Sequence, residues 1–405
     1  MKNRYLKYLN VFFIVFFFPS FITGIFIPNL VCGIFLLSHV ILNFKKIKKL
    51  IFKFLFASCC FIFFCAIIVI SSIISKYSMH SLESSALYFT YLIYSLVIYS
   101  IFSDNKKFRY LFFICGIFTC LTLSVDAIYE FFNGYNLLGY SSIDGRLAGM
   151  FGGRWVLGRY LIYFLPILVG LYYLEIDKYK KFKFIIYTTF ILTSLVIIFS
   201  GERAALLMFF IYMFLLLFYF LNKLTLVKIL QILFLIIVLV ILPFLFSDTS
   251  ERIKNNFLVY LLSTDVEINQ YLSMFITSWK MFIDNPLFGI GPNNFRYVCS
   301  ESMYFVSKWS CSTHPHSITF QVLAEIGLLG FIAVYSVLGF FIYKSIILIF
   351  SKNLSKSSFG MYSLQSSIII YLFPFMITGN FFLSWYGFIY YLPISLYMVY
   401  SSKID

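Results

Sequence analysis

Two histidines flank one proline in Ser312-Thr313-His314-Pro315-His316-Ser317. The proline ring holds its own φ at about −65°, so this stretch is stiffer than an ordinary loop. An imidazole with its ordinary pKa of about 6.5 can accept a proton at neutral pH and return it. His316 is therefore a candidate general base, and His314 a candidate for orienting it or binding substrate. The two could also ligate a metal, but no third ligand follows at a metal-site spacing, and no metal or other cofactor is expected.

Arginines make the second set. Arg146, Arg154 and Arg159 lie in the glycine-rich stretch Gly145-Arg146-Leu147-Ala148-Gly149-Met150-Phe151-Gly152-Gly153-Arg154-Trp155-Val156-Leu157-Gly158-Arg159, and Arg203 opens an apolar run after Ser200-Gly201-Glu202. Arg252 and Arg296 follow in a long polar segment. A guanidinium binds phosphate or carboxylate bidentately and keeps its charge on partial burial. At Arg203 a helix amino terminus would add unpaired N–H groups and a positive dipole end, so an anion site is the expectation. The competing reading is that these arginines reach lipid headgroups or pair with Asp144, Glu202 and Glu251.

These residues need a scaffold, and composition names its class. The 405-residue chain is 61% hydrophobic, 22% aromatic and only 12% charged, where soluble globules carry about a quarter charged residues. Apolar runs near 10–28, 29–44, 54–75, 84–102, 108–130, 156–175, 182–200, 203–222, 226–247, 328–350, 361–378 and 382–400 predict an all-α, polytopic integral membrane protein with about twelve transmembrane helices. The first two could instead form a re-entrant pair. The first run is followed by another apolar run, not by a cleavage site and a polar chain, so it is expected to stay in the protein.

Residues 1–405 are read as one membrane domain. Lysines recur in every second loop, at 45–53, 106–107, 178–183, 223–228 and 344–356, which places those loops and both termini in the cytoplasm. Most of the 31 basic residues, and hence most of the net charge of +15, then serve topology, and no nucleic acid partner is implied. The arginine set falls on the opposite side.

The long outer loop is 248–327. Within it Tyr271, Phe275, Ser278, Trp279 and Phe282 recur at helical spacing until Asp284-Asn285-Pro286, predicting an amphipathic helix along the membrane surface. Gly289-Ile290-Gly291 follows no strand and reads as tight turns, not as a nucleotide fingerprint. Six of the eight cysteines fall in spans. Cys299 and Cys311 are both in the loop, either bridged, if the compartment is oxidising, or free thiols. The loop offers little apolar surface between Arg296 and His316, so the bridge would be its main fastening.

Absences narrow the function. No Gly-x-x-x-x-Gly-Lys-[Ser/Thr] is present, so ATP hydrolysis is not expected. No acidic residue lies at the centre of a predicted span, Asp126 and Glu130 being near the outer end of the fifth, which disfavours a coupled transporter. An enzyme working outside without ATP needs a substrate activated beforehand, and a lipid-linked diphosphate suits an arginine cluster.

His316-Ser317, nine residues, then Gly327-Leu328-Leu329-Gly330 resembles the His-[Asn/Ser/Gln]-x9-Gly-x-x-Gly signature of the bacterial O-antigen ligase and O-antigen polymerase family. Pro286-Leu287-Phe288-Gly289-Ile290-Gly291-Pro292, the stretch Ser200 to Leu207, and Gly145 to Tyr160 also resemble that family's motifs. The chain departs from common forms in Ser317, where Asn is frequent, and in the Glu before Arg203. The resemblance implies a metal-independent membrane glycosyltransferase of the C-type architecture in the bacterial inner membrane, with a periplasmic active site. It would use undecaprenyl-diphosphate-linked glycan as donor and a lipid A-core or other periplasmic hydroxyl as acceptor, in lipopolysaccharide biosynthesis. His316 would be the catalytic base; Arg203, Arg146 and Arg296 would bind diphosphate, with Arg154 and Arg159 binding or orienting substrate. A ligase is the first expectation. The alternatives are a polymerase joining lipid-linked repeat units, then a protein O-oligosaccharyltransferase or a lipid-linked glycan transporter.

Overall fold

The computed structural model describes residues 2–141, 145–176, 181–221, 263–351, 355–374 and 376–402, with single positions at 225, 227, 228 and 231. Regular structure in these residues is helical; the only strand-like pairings among them are the isolated bridges Tyr135–Ser141 and Ser317–Ile377. The first half holds α1 (Lys2–Ser20), α2 (Phe26–Lys53), α3 (Leu55–Ile74), α4 (Ser78–Asp104), α5 (Lys106–Asn133), α6 (Leu157–Leu171), α7 (Lys181–Phe199) and α8 (Arg203–Phe220). The second half holds α9 (Gln270–Asp284), α10 (Phe295–Val298), α11 (Ile318–Phe350), α12 (Lys356–Tyr371) and α13 (Ser384–Ser401).

Eight of these helices, α2 to α8 and α11, are long and apolar enough to cross a membrane, α6 reaching that length with the π-turn Tyr172–Ile176 at its end. Twelve spans were expected, and the difference has physical causes. α1 carries Lys2, Arg4 and Lys7 in its first turns. α12 has 16 residues, a length of about 24 Å against a hydrocarbon core of about 30 Å. α13 carries Pro393 within it and is rich in tyrosine. Most of the expected span at 226–247 lies outside the described residues, as do Asp144, Glu251, Arg252 and the first part, 248–262, of the expected loop. α2 runs past its expected end, but its backbone leaves helical geometry at Asn43, where the apolar run gives way to Lys45 and Lys46.

Helix ends are set locally. Asn105 caps α5 by accepting from the N–H groups of Lys107 and Phe108, and Gly134, with φ 78°, closes the other end. α6 is the centre of the bundle and is buried along nearly its whole length, packing against α5, α7, α8 and α12. A Cβ at Gly170 would meet the Gly360 carbonyl, so these two glycines let α6 and α12 approach closely.

α9 ends at Asp284, as its sequence implied. The face it buries in the protein is Ser273, Met274, Thr277, Ser278 and Met281. Small side chains let α9 lie close on α11, while Phe275 stacks on Phe320 at 4.4 Å and Trp279 and Ile283 stay exposed. The loop that follows differs from its expectation. The loop after Arg296 is fastened by a small apolar core of its own, in which Val298 and Tyr304 pack with Met274, Met281, Ile290 and Phe295.

Candidate functional site

The nine residues between Ser317 and Gly327 are one helical segment. α11 starts at Ile318 and breaks at Gly327, whose φ of 66° and ψ of −165° are outside helical space. The break is built against the Gly289 turn. A Cβ on Gly327 would overlap the Leu287 backbone, and one on Gly289, φ 68°, would overlap the backbone of Ala324, Glu325 and Ile326. The chains meet there through Ile290 N–H to Ala324 carbonyl and Gly291 N–H to Glu325 carbonyl, both 2.9 Å, and Leu328 N–H to Pro286 carbonyl, 2.8 Å. The expected tight turns are present, and they set where the histidine loop ends.

That loop is tied at three places. Cys299 and Cys311 form a disulfide with Cα atoms 5.2 Å apart. Trp309 Nε1 donates to the Glu267 carbonyl at 2.8 Å, joining the loop to the turn before α9. Thr378, between α12 and α13, donates its N–H to the His316 carbonyl at 2.8 Å, and its own carbonyl lies 3.1 Å from His314 Nε2.

These bonds assign the imidazoles different work. A carbonyl can only accept, so His314 Nε2 carries the proton and Nδ1 accepts from Thr313 Oγ1 at 3.0 Å. His314 has no nitrogen left for substrate protons. His316 contacts Ser312 Oγ through Nε2 at 3.1 Å, and its Nδ1 makes no hydrogen bond among the described residues. Its φ of 57° is unusual for a side chain with a Cβ, and its ring lies 4.2 Å from that of His314. Burial, reinforced by the Arg159 charge, lowers the His316 pKa to about 4. Burial and then the neighbouring His316 lower that of His314 to about 3. Both rings are neutral at pH 7.

The arginines converge from three stretches. Leu147 N–H donates to the Ser200 carbonyl at 3.3 Å, bringing the glycine-rich loop to the start of α8, where Gly201 turns with φ 70° and Arg203 is the first helical residue. Arg146 lies over the Trp155 ring at 4.2 Å. Arg154 is committed to backbone, through Nε to the Phe151 carbonyl at 3.0 Å and Nη2 to the Ile22 carbonyl at 2.5 Å, and so anchors the α1–α2 turn. Arg159 pairs with Glu202 at 3.1 Å, which for this one residue is the ion-pair reading and not the anion-site reading. Arg296 is held through Nη2 by Asn293 Oδ1 at 2.7 Å.

A single cavity of about 580 Å³ is bounded by Arg146, Arg154, Arg159, Arg203 and Arg296 together with His314 and His316. Among the described residues Glu202 is the one carboxylate in its wall, so with both histidines neutral these residues make the wall strongly positive. Among the described residues no group of three or more His, Cys, Asp or Glu could hold a metal ion. Sequence reasoning missed Gln270, Tyr271, Asn380 and Tyr386, which also line the cavity. It also missed Glu325 and Gln321, four apart in an apolar stretch, a spacing that could have marked a buried polar pair on one helix face.

No curated protein matches the chain. Arg203, Arg296, both histidines and the break at Gly327 all fall within residues 188–335, the part of the chain that matches the family model described as O-antigen ligase.

Proposed function

We propose that the cavity transfers a glycan from undecaprenyl diphosphate to a hydroxyl of a lipid A-core acceptor, on the periplasmic side of the bacterial inner membrane. The observation that carries this reading is that one cavity joins a neutral histidine with an open Nδ1 to five guanidinium groups. In this mechanism the acceptor hydroxyl attacks the anomeric carbon as its proton passes to His316 Nδ1, Nε2–H being turned to Ser312 Oγ. The bond from the anomeric carbon to the diphosphate oxygen breaks, and undecaprenyl diphosphate leaves with the electron pair. Arg203, Arg146 and Arg296 take up the charge that develops on it. Arg154 and Arg159, bound to backbone and to Glu202, shape the site, and His314 holds the loop.

The test is reconstitution with purified donor and acceptor. Undecaprenyl diphosphate should appear in step with product, and His316→Ala should cost about 10² to 10⁴-fold in rate with expression unchanged. Translocation of donor across vesicles without a new glycosidic bond would reject the transferase. Deletion separates the two family chemistries. A ligase-null cell accumulates full-length polymer on the carrier lipid, whereas a polymerase-null cell places single repeat units on its lipid A-core.

A further inference from the structure

Four polar side chains outside the chemistry above form one relay. Glu325, wholly buried, accepts from the Phe295 N–H and from Gln321 Nε2, both at 2.9 Å. Gln321 Nε2 also donates to Asn380 Oδ1 at 2.7 Å, and Gln321 Oε1 accepts from the Phe381 N–H at 2.9 Å. Asn380 Nδ2 donates to Asn293 Oδ1 at 2.9 Å, and the same oxygen accepts from Arg296 Nη2 at 2.7 Å. The Arg296 guanidinium is thus gripped through Nη2 while the residue borders the cavity, its buried Nε having no hydrogen-bond partner among the described residues.

Two residues before Asn380, Thr378 holds the His316 backbone and the His314 ring. The segment 378–380 is thus a splint, with the histidines on one end and Arg296 on the other. Apolar side chains would fill this space at a smaller desolvation cost. What planar amides with directed hydrogen bonds add is orientation.

We infer that Asn380 is a positioning residue, which through Asn293 sets Arg296 against His316 so that the base and the diphosphate-binding charge stay in register. This rests on the function proposed above. Asn293 allows a clean test, because its φ of 62° suits glycine. Asn293→Gly cuts the relay without straining the backbone.

Inorganic pyrophosphate binding to the full chain in detergent is measured by calorimetry for Arg296→Ala, Asn380→Ala, Asn293→Gly and the double variants. Arg296→Ala should weaken binding about tenfold, and either asparagine variant about three- to tenfold. Asn380→Ala combined with Arg296→Ala should be no weaker than Arg296→Ala alone within about twofold, because Asn380 acts through that arginine. Losses that multiply in the double variant, or normal affinity in Asn293→Gly and Asn380→Ala while Arg296→Ala is weakened, overturn the inference and leave the proposed function standing. Normal affinity in Arg296→Ala removes that arginine from the proposed function and overturns the inference with it. Should Asn380→Ala fail to fold, Asn293→Gly with and without Arg296→Ala decides by the same criteria.

Discussion

Arg159 Nε lies 3.1 Å from Glu202 Oε2, and the other Glu202 oxygen accepts the Gly158 N–H at 2.6 Å. One carboxylate therefore serves the first turn of α6 and fixes an arginine of the cavity wall. The glutamate before Arg203, an oddity of the sequence, is the post to which Arg159 is tied. Its fixed charge bears on the base.

Arg159 is, after burial, the cause that holds His316 at about 4. A general base must be neutral, so activity is lost only as pH falls through that value. In the wild type kcat/KM, which reports free enzyme, should be flat from pH 8 to about 5 and fall near 4. Arg159→Gln removes a repelling cation and should move this acid limb up toward 6.5. A bound diphosphate acts in the same direction, so the limb in kcat should lie above that in kcat/KM. An acid limb near 6.5 in the wild type that ignores Arg159→Gln would reject the assignment.

The same burial makes the loop sensitive to acid. In the unfolded chain both histidines return to about 6.5, whereas folded His314 stays at about 3. The unfolded state binds more protons below 6.5, so stability is full above that pH and declines as pH falls toward 4. Each group contributes at most about 1.4 kcal/mol per pH unit. His314→Asn cannot titrate, and its thermal aggregation midpoint should drop less between pH 7 and pH 5 than that of the wild type. An equal drop would show that other groups govern the acid response.

Gly327 and Gly339 lie on the same helix and should respond oppositely to alanine. Gly327 has a positive φ and no room beside the Leu287 backbone, whereas a Cβ on Gly339 meets nothing within 4 Å. Gly327→Ala should cost at least about 1–3 kcal/mol from backbone strain alone, and it should also dislodge the histidine loop and lower the rate. Gly339→Ala should be neutral or stabilising by up to about 1 kcal/mol. Equal midpoints for the two variants in thermal unfolding would mean that the break does not depend on glycine.

What the sequence made legible was local. Arg203 as the first residue of α8 and the stop of α9 at Asp284 follow from charge, caps and breakers beside apolar runs. The partner of Glu202 lies 43 residues earlier and becomes its neighbour only when α6 packs on α8. Asn380 meets Gln321 across 59 residues, and no periodicity signals such a contact. The packing of α9 on α11 through Ser273, Met274, Thr277, Ser278 and Met281 was not legible either, because small side chains carry no apolar periodicity. Apolar anchors after Arg296 were overlooked because Val298 and Tyr304 sit in short turns without a repeating spacing.

Removing the bridge between Cys299 and Cys311, 12 positions apart, should separate the two halves of the cavity. In the chain-entropy model a loop of this size is stabilised by about 3 kcal/mol. Two parts of the site depend on the bridge unequally. Arg296 is held by Asn293 and stands beside Phe295, which is bonded to Glu325 and buried in a small apolar core where Cys299 is one member among eight. His316 is steadied by Ser312, the residue after Cys311, so freeing Cys311 frees that contact. In a variant with both cysteines changed to serine, transfer should therefore slow several-fold while pyrophosphate affinity stays within about twofold of the wild type. Membrane insertion should be unaffected, since spanning helices satisfy their own backbone. If affinity falls in step with the rate, the apolar core does not hold the arginine without the bridge, and the two halves of the site are one unit.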